Sequence, residues 1–331
     1  MRIFHYVSIV LFTIIVGAFI YQYSPHYYII KGKIFGTYYN IKIKTDNKDA
    51  RLKDEISQRL AEINSLMSVF EKDSEISLIN EAPARQKIEL SSDMSKVIKA
   101  ADKVYRQTDG YFDPSLGRLI DLWGFGASSA REPSDDEIKQ ALKNSGFNKL
   151  KFSRDFRYLT KTNSQIMLNL SAIAKGWAVD EIAALLDNKG YNDYVVEIGG
   201  EIKTKGFREE NGEAWTIGIN RPTAHSSDNI MVISLSNMAV ATSGNYRNFY
   251  SHDGRVLGHT ISHQTGEPVE SDVASVSVFH DSCMMADAYA TAIVAMGIER
   301  GLQFANRHNL KVMIFDKDLK RYLSDKAAQI L

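Results

Sequence analysis

The sequence predicts an α+β fold, in which mixed or antiparallel sheets are flanked by helices. Several short stretches with strand-like patterns follow one another without an intervening helix, which argues against a doubly wound parallel sheet. The chain contains no G-x-G-x-x-G motif and no Walker phosphate-binding loop, so neither common nucleotide-binding fold is indicated. Its 331 residues are 44% hydrophobic and 24% charged, which is ordinary for a globular protein with a sizeable core.

Charge and cysteine content exclude several classes of function. Forty basic residues balance forty acidic residues, so no overall field attracts the protein to nucleic acid or to anionic lipid. Cys283 is the only cysteine in the sequence, which rules out an intramolecular disulfide and a cysteine-based metal site. We expect Cys283 to be a small buried hydrophobic residue beside Met284.

The N-terminus contains an uncharged apolar segment from Tyr6 to Tyr23, which follows Arg2. Eighteen residues are close to the lower limit for spanning a bilayer, and tyrosines at both ends suit the two interfaces. A cleaved signal peptide and a buried core helix are the alternatives, but no A-x-A-like cleavage site follows the segment. We expect residues 1–29 to form an uncleaved signal anchor in the cytoplasmic membrane. Residues 30–331 would then be a single catalytic domain on the periplasmic or extracytoplasmic side.

Apolar residues at helical spacing predict helices in the first half of the chain. The two clearest stripes are Leu52, Ile56, Leu60, Ile63 and Met67, and then Val97, Ile98, Ala101, Val104 and Tyr105. The second stripe ends at Asp109-Gly110, where glycine can supply a left-handed cap. Ser134 and Glu137 form a capping box for a helix that ends at Gly146, and a further helix is predicted over Ala174–Asn188.

Alternating or β-branched stretches predict strands, most of them in the second half of the chain. They are Asn40–Lys44, Tyr194–Ile198, Trp215–Ile219, Met231–Leu235, Ala239–Thr242, Val273–Phe279 and Lys311–Phe315. Beyond residue 30 there is no linker, repeat or low-complexity tract, which favours one domain.

The stretch from Met284 to Gly297 is rich in Ala, Met and Ile and predicts a buried helix. Asp287 and Thr291 are four residues apart, so their oxygens lie on one helical face. A hard divalent cation such as Mg²⁺ would bind both groups. The alternative is that Asp287 interacts with the helix dipole and Thr291 packs against a backbone carbonyl. Taken alone, the pair favours that alternative, because a two-residue motif carries little information.

Other polar segments lie between the predicted elements. Residues 109–126 contain a mixture of glycines and aromatic residues, which suits a flat aromatic ligand or, alternatively, a tight turn with a small hydrophobic core. Residues 170–180 open a helix with small side chains, and the free N–H groups there favour phosphate. Residues 258–266 carry His259 and His263, although a single histidine is more often structural than catalytic.

Taken together and in this order, these segments resemble the FAD:protein FMN transferase family, also called ApbE-like. The resemblance covers roughly residues 30 to 315 and is specific, because eight blocks recur in order. The matching blocks are Gly36-Thr37, Ser74–Asn80, Asp109–Gly126, Ser171–Asp180, Ile198–Gly200, Thr242–Arg247, His259–Gly266 and Ala286–Thr291.

The resemblance implies a T-fold-related enzyme that cleaves the pyrophosphate of FAD. FMN is then attached through a phosphoester bond to a Thr or Ser of an acceptor flavoprotein, and AMP is released. An Mg²⁺ site is implied at the Ala174 carbonyl, the Asp287 carboxylate and the Thr291 hydroxyl, and His259 would accept the proton of the acceptor hydroxyl. The residues implied to line the FAD site are Phe35, Phe70, Tyr111, Phe112, Asp113, Ser171, Trp177 and Ile261. Lys175 is our candidate for an additional phosphate contact.

The chain departs from the family pattern in three places. Phe35 replaces the usual Met before Gly-Thr, and Ser262-His263-Gln264 replaces the usual Asp-Pro-Arg before Thr-Gly. The lipid-accepting cysteine of many exported members is absent, which favours the signal anchor. Two other functions stay open: an Mg²⁺-dependent FAD pyrophosphatase, a choice that Asn80 could influence, and an extracytoplasmic flavin-binding protein without chemistry.

Overall fold

The computed structural model describes residues 26–126, 131–223, 228–244, 249–252 and 255–329. The predicted signal anchor therefore lies mostly outside the described residues. Its last three residues, 27–29, belong to the first strand of the main sheet, so the predicted boundary at residue 29 is too late. Among the helices that are described, none is both long enough and apolar enough to cross a bilayer.

The largest sheet in the described part of the chain has eight strands, and every neighbouring pair is antiparallel. In spatial order these are β1 (Tyr27–Ile34), β2 (Thr37–Lys44), β6 (Tyr194–Ile198), β7 (Glu201–Lys205), β10 (Ala239–Ser243), β13 (Val273–His280), β14 (Lys311–Asp316) and β15 (Arg321–Leu323). This arrangement confirms the predicted α+β class with antiparallel pairing.

Three smaller sheets accompany the large one in the described residues. They are β3 (Ile88–Glu89) with β5 (Tyr158–Lys161) and β4 (Leu150–Phe152), the hairpin of β8 (Trp215–Asn220) and β9 (Asn229–Leu235), and the hairpin of β11 (Phe249–His252) and β12 (Arg255–Gly258). The β8–β9 hairpin covers one face of the large sheet, where Trp215 and Ile217 pack against Val240 and Phe279.

The described helices include all those that the sequence predicted, together with three further helices that it did not predict. In chain order they are α1 (Leu52–Met67), α2 (Glu75–Glu81), α3 (Ser92–Gln107), α4 (Gly117–Leu122), α5 (Asp135–Asn144), α6 (Ser171–Asn188), α7 (Cys283–Met296) and α8 (Ile298–Arg307). The predicted capping box between Ser134 and Glu137 is present at the start of α5. After α3, Asp109 and Gly110 both take positive φ values of 50° and 85°, which confirms the predicted left-handed turn.

The main core lies between the large sheet and the helices on its second face. Strand β10 shows the alternation directly, because Ala239 and Ala241 face the helices while Val240 faces the hairpin. Helix α7 is buried around most of its circumference, as its apolar composition predicts, and Cys283 at its start is fully buried. The fold therefore places α7 between the sheet and the other helices, at the centre of the domain.

Helices α6 and α7 approach each other closely at Gly176. A Cβ atom on Gly176 would lie 2.4 Å from the Cys283 carbonyl oxygen and 2.8 Å from Cβ of Asp287. Both distances are shorter than real van der Waals contacts, so only glycine allows this separation of the two helices.

We expect Gly176→Ala to lower the free energy of unfolding by about 1–3 kcal/mol, the usual cost of overpacking. Helix propensity alone predicts the opposite sign, because alanine is favoured over glycine by about 1 kcal/mol. Ala184→Gly, at an exposed position of the same helix, is the control that measures propensity without close neighbours. Urea denaturation gives both values, and a Gly176→Ala protein more stable than the parent would contradict the close packing.

Candidate functional site

Asp287 and Thr291 face the same region between α6 and the sheet. Asp287 is 1% exposed, and its Oδ2 accepts a hydrogen bond of 3.0 Å from the Gly176 N–H. One turn further along α7, the Thr291 Oγ1 lies 3.2 Å from the Oγ of Ser243 at the end of β10. The predicted pairing of a carboxylate and a hydroxyl on one helical face is therefore present, at a position where α6 and β10 meet α7.

A lysine and a second carboxylate lie beside Asp287. The Lys175 Nζ is 3.4 Å from Oε1 of Glu201 and 3.9 Å from Oδ1 of Asp287. Glu201 is 3% exposed, and its other oxygen, Oε2, has no hydrogen-bond partner within the described structure. The Lys175 side chain itself is 31% exposed, so this group of charges is open to solvent on the lysine side.

Burial dominates the protonation of these groups. It raises the pKa of the Asp287 carboxyl and raises the pKa of the Glu201 carboxyl to about 8. Burial also disfavours the charged form of Lys175, but the carboxylates of Asp287 and Glu201 outweigh it, so the pKa of Lys175 is raised. Two buried carboxylates thus share one ammonium group, and a further cation would stabilise their ionised forms.

The chemistry of these groups fits a hard divalent cation. Carboxylate, hydroxyl and backbone carbonyl oxygens are the ligands that Mg²⁺ takes, and it usually keeps several waters and substrate phosphates. The unpartnered Oε2 of Glu201 adds an acceptor beside them. No group of three or more His, Cys, Asp or Glu side chains suited to a metal occurs in the described ranges. A metal here would therefore depend on a mixed oxygen set that includes Asp287.

The tip of the β1–β2 hairpin lies next to the charged group. Gly199 has a φ of 63°, and a Cβ there would lie 2.9 Å from Cγ2 of Thr37 and 3.4 Å from Cδ of Lys175. Phe35, at the tip of the hairpin, has a φ of 53° and is half-buried against the main core. An open cavity of about 590 Å³ is lined by Lys33, Ile34, Gly36, Thr37 and Tyr38. The predicted flavin residue Phe35 therefore lies two residues before Thr37, and its two neighbours in the chain, Ile34 and Gly36, both line this cavity.

Residues 111–113 form part of a structured turn. The Phe112 side chain is buried in the main core, and Asp113 accepts a hydrogen bond of 2.8 Å from the Ser115 N–H. Burial raises the pKa of the Asp113 carboxyl. The Tyr111 ring lies edge-on to the His263 ring, with centroids 4.9 Å apart. Of these three predicted flavin residues, Tyr111 and Asp113 are half-buried and Phe112 is enclosed.

The loop that carries His259 is held without the acid and the arginine of the usual motif. The Ser262 Oγ accepts hydrogen bonds of 3.2 Å from the N–H groups of Gln264 and Thr265. A serine hydroxyl thus forms the turn that an aspartate can form in the same way. The Gly266 N–H also donates to the Ser262 carbonyl at 2.8 Å. The Ser262 hydroxyl and carbonyl therefore hold this turn in the absence of an aspartate.

The same loop packs against the segment that follows α4. The Trp123 Nε1 donates a hydrogen bond of 2.8 Å to the Gly266 carbonyl, and Trp123 and Ile261 share a small buried cluster. The Phe125 ring lies edge-on to the His259 ring, with centroids 6.4 Å apart. Two segments that are far apart in sequence, residues 109–126 and 258–266, therefore pack against each other.

The fold recurs in known proteins. The family model described as ApbE family matches residues 35–314. The chain belongs to the ApbE family. An FAD:protein FMN transferase from Vibrio cholerae is 36% identical over 305 residues, covering 89% of this chain and 90% of that protein. An FAD:protein FMN transferase from Haemophilus influenzae is 33% identical over 295 residues, covering 86% and 85%. The solved flavin transferase ApbE from Vibrio cholerae superposes with a TM-score of 0.84 at 34% identity, covering 93% of this chain and all of that one.

The three remaining residues that were predicted to line the flavin site differ in their exposure to solvent. Phe70 is 69% exposed in the turn after α1, and Ser171 is exposed at the first position of α6. Trp177 is 3% exposed inside the main core, with the Arg59 guanidinium 5.4 Å above its ring. The flavin-binding roles of these three residues, like those of the others, stay predictions.

The sequence reasoning did not single out Glu201 and Ser243 as site residues. Glu201 begins β7 and comes immediately after the Gly199-Gly200 pair, whereas Ser243 ends β10 within the family block Thr242–Arg247. A glutamate in a short strand is normally exposed, so only its position next to glycines could have pointed to burial. Their contacts with Lys175 and Thr291 make them part of the site's polar lining.

Proposed function

We propose that this chain is an Mg²⁺-dependent FAD:protein FMN transferase, which attaches FMN to a Thr or Ser of an acceptor flavoprotein and releases AMP. The enzyme class itself, a flavin transferase of the ApbE family, is confirmed by the relatives. The metal-dependent step is supported best by one observation: a fully buried carboxylate, Asp287, shares a helical face with the Thr291 hydroxyl beside the unpartnered Glu201 oxygen.

The Ala174 carbonyl, the Asp287 carboxylate and the Thr291 hydroxyl would hold the cation. When bound, Mg²⁺ would neutralise the negative charge that develops on the pyrophosphate. The Lys175 ammonium, which is 31% exposed and charged beside two carboxylates, would contact a phosphate oxygen. Gly176 donates its N–H to Asp287 and keeps that carboxylate oriented towards α6.

His259 acts on the acceptor in this proposal. Its imidazole accepts the proton of the acceptor hydroxyl while that oxygen attacks the FMN phosphorus. The bond between this phosphorus and the oxygen that bridges to AMP breaks, and AMP leaves with the bridging oxygen. The Phe125 ring edge and the loop tied to Trp123 hold His259 in place.

One incubation separates this function from its alternatives. The full-length protein, solubilised in detergent if required, is mixed with FAD, Mg²⁺ and an acceptor flavoprotein domain, and AMP and protein-bound flavin are measured. A transferase gives AMP and covalent flavin, whereas a pyrophosphatase gives AMP and free FMN. A flavin-binding protein without chemistry gives neither product, and either of the last two outcomes would contradict the proposal.

We also propose that the segment before β1, which includes Tyr6 to Tyr23, anchors the enzyme in the cytoplasmic membrane with the catalytic domain outside the cytoplasm. The support is the uncharged segment from Tyr6 to Tyr23. We expect the full-length chain to fractionate with membranes, and a protease added outside spheroplasts should digest the domain after residue 30. A soluble cytoplasmic protein that retains residues 1–25 would contradict this localisation.

A further inference from the structure

The Asp180 carboxylate joins three elements of the fold. It lies on α6, one turn beyond Gly176, and its side chain is 17% exposed. Its Oδ2 accepts hydrogen bonds from the Ser282 hydroxyl at 2.7 Å and from the Met284 N–H at 3.0 Å. Its Oδ1 accepts from the Cys283 N–H at 3.1 Å and from the Lys203 ammonium on β7 at 2.7 Å. One side chain of α6 therefore binds the beginning of α7 and the sheet.

The N-terminus of α7 depends on these bonds. The first N–H groups of a helix have no partner within the helix and need an acceptor from elsewhere. Ser282 accepts from the Met285 N–H at 3.3 Å as the usual N-cap, while Asp180 accepts from the two preceding N–H groups. A negative charge at this end also interacts favourably with the helix dipole. The cap of α7 is thus supplied in part by α6.

This cap lies beside the proposed metal site. Ala174 precedes Asp180 on α6, and Asp287 and Thr291 follow the capped turn on α7. Close packing fixes the distance between the two helices at Gly176, but a sliding movement along their axes is opposed by directional hydrogen bonds. Asp180 supplies four such bonds, three of them to residues 282–284.

We propose that Asp180 is a positioning residue for the metal site of the transferase. By capping α7 from α6, it sets the axial register in which the Ala174 carbonyl faces the Asp287 carboxylate and the Thr291 hydroxyl. In this role Asp180 acts through the packing of α6 against α7 and not as a ligand of the metal or the substrate. The inference rests on the proposed function, because it needs Mg²⁺ to bind at these residues.

The test measures Mg²⁺ binding to the full-length protein by calorimetry, without FAD, for the parent and for Asp180→Asn. We expect the dissociation constant for Mg²⁺ to rise about 10-fold, the lower end of what loss of an orienting partner costs a metal site. Asp187→Asn is the matched control, because Asp187 also lies on α6 and pairs with a lysine of β7, Lys205, at 2.9 Å. Within the described residues, the hydrogen bonds of the Asp187 carboxylate go to Tyr194 and Lys205 and not to α7, so its replacement should leave Mg²⁺ affinity within about twofold of the parent.

The Ser282→Ala variant tests the hydrogen bonds of the α7 cap without changing the charge of the protein. It removes one bond to Asp180 and the N-cap of α7 without changing any charge, so it should also weaken Mg²⁺ binding. Lys203→Met removes the ion pair but leaves the cap, so it should not weaken Mg²⁺ binding. Ser282→Ala also serves if Asp180→Asn does not fold, because it removes fewer bonds.

The outcomes distinguish the inference from the function on which it rests. A lower melting temperature of Asp180→Asn with unchanged Mg²⁺ affinity would reduce Asp180 to a purely structural role and overturn the inference alone. Normal Mg²⁺ affinity in Ser282→Ala would overturn it as well. Absence of Mg²⁺ binding by the parent protein would overturn the metal site, and this role of Asp180 with it.

Discussion

Asp287→Ala is expected to abolish Mg²⁺-dependent FMN transfer while the protein remains folded. Asp287 supplies the only carboxylate among the three proposed ligands, and a neutral site would hold a divalent cation poorly. The side chain is 2% exposed and lies 3.9 Å from the Lys175 ammonium. After its removal, Lys175 still has Glu201 at 3.4 Å, so the lysine is not left without a counter-charge. Initial rates of AMP release over a range of Mg²⁺ concentrations measure the effect, and circular dichroism reports the fold.

Thr291→Val is the graded control for this prediction. It removes a neutral ligand that water can partly replace, so we expect a milder loss that additional Mg²⁺ partly restores. The Ser243 hydroxyl, 3.2 Å from Thr291, remains in place to hold such a water. Near-normal, Mg²⁺-dependent activity of the Asp287→Ala protein would show that the metal is held elsewhere.

His259→Ala is expected to slow FMN transfer by about 10²–10⁴-fold, the usual range for loss of a general base. FAD binding should be retained, because the histidine acts on the proton of the acceptor hydroxyl and contributes little to holding the flavin. The loss should therefore fall on the chemical step, which single-turnover measurements of AMP release isolate from binding. Fluorescence titration of FAD checks that the affinity is preserved.

His263→Ala is the internal control for the general base. His263 is in the same loop, but its ring packs edge-on to Tyr111, and burial lowers the pKa of its imidazole. We expect its replacement to affect packing more than the chemical step. If His263→Ala slowed transfer more than His259→Ala, the alignment of this loop with the family motif would be wrong. If both variants transferred FMN at the parent rate, the reaction would need no histidine base.

The elements that the sequence predicted well are those with a strong local signal. The apolar stripe of α1 and the capping box of α5 depend on neighbouring residues and were confirmed. Strands β1 and β7 were not predicted, because their sequences, YYIIKGKI and EIKTK, alternate poorly and become strands through pairing with β2 and β6. Helix α6 begins at Ser171, three residues before the predicted start, and its first turn lacks a side-chain cap that could have marked it.

Some site residues could likewise be predicted from the spacing of nearby residues, whereas others depend on contacts between distant parts of the chain. The spacing of Asp287 and Thr291 was enough to place both on one helical face, and the structure confirms that they share it. Glu201 and Asp180 become important only through packing: Glu201 is buried where α6 covers β7, and Asp180 caps a helix more than 100 positions later. Such contacts have no signature in one sequence. The Ser262 turn likewise could not be predicted from the sequence, because a serine in place of an aspartate does not reveal which N–H groups its hydroxyl binds.

The most direct test of the proposed metal site is anomalous diffraction from crystals of the protein soaked with Mn²⁺ and FAD. Mn²⁺ prefers the same octahedral oxygen coordination as Mg²⁺ and gives a measurable anomalous signal. We expect one strong peak at about 2.0–2.2 Å from oxygens of Asp287, Thr291 and the Ala174 carbonyl, next to the FAD pyrophosphate. The Asp287→Ala crystals, soaked in the same way, should lack it. A peak held by other residues, or none in the parent crystals, would contradict the assignment of this site.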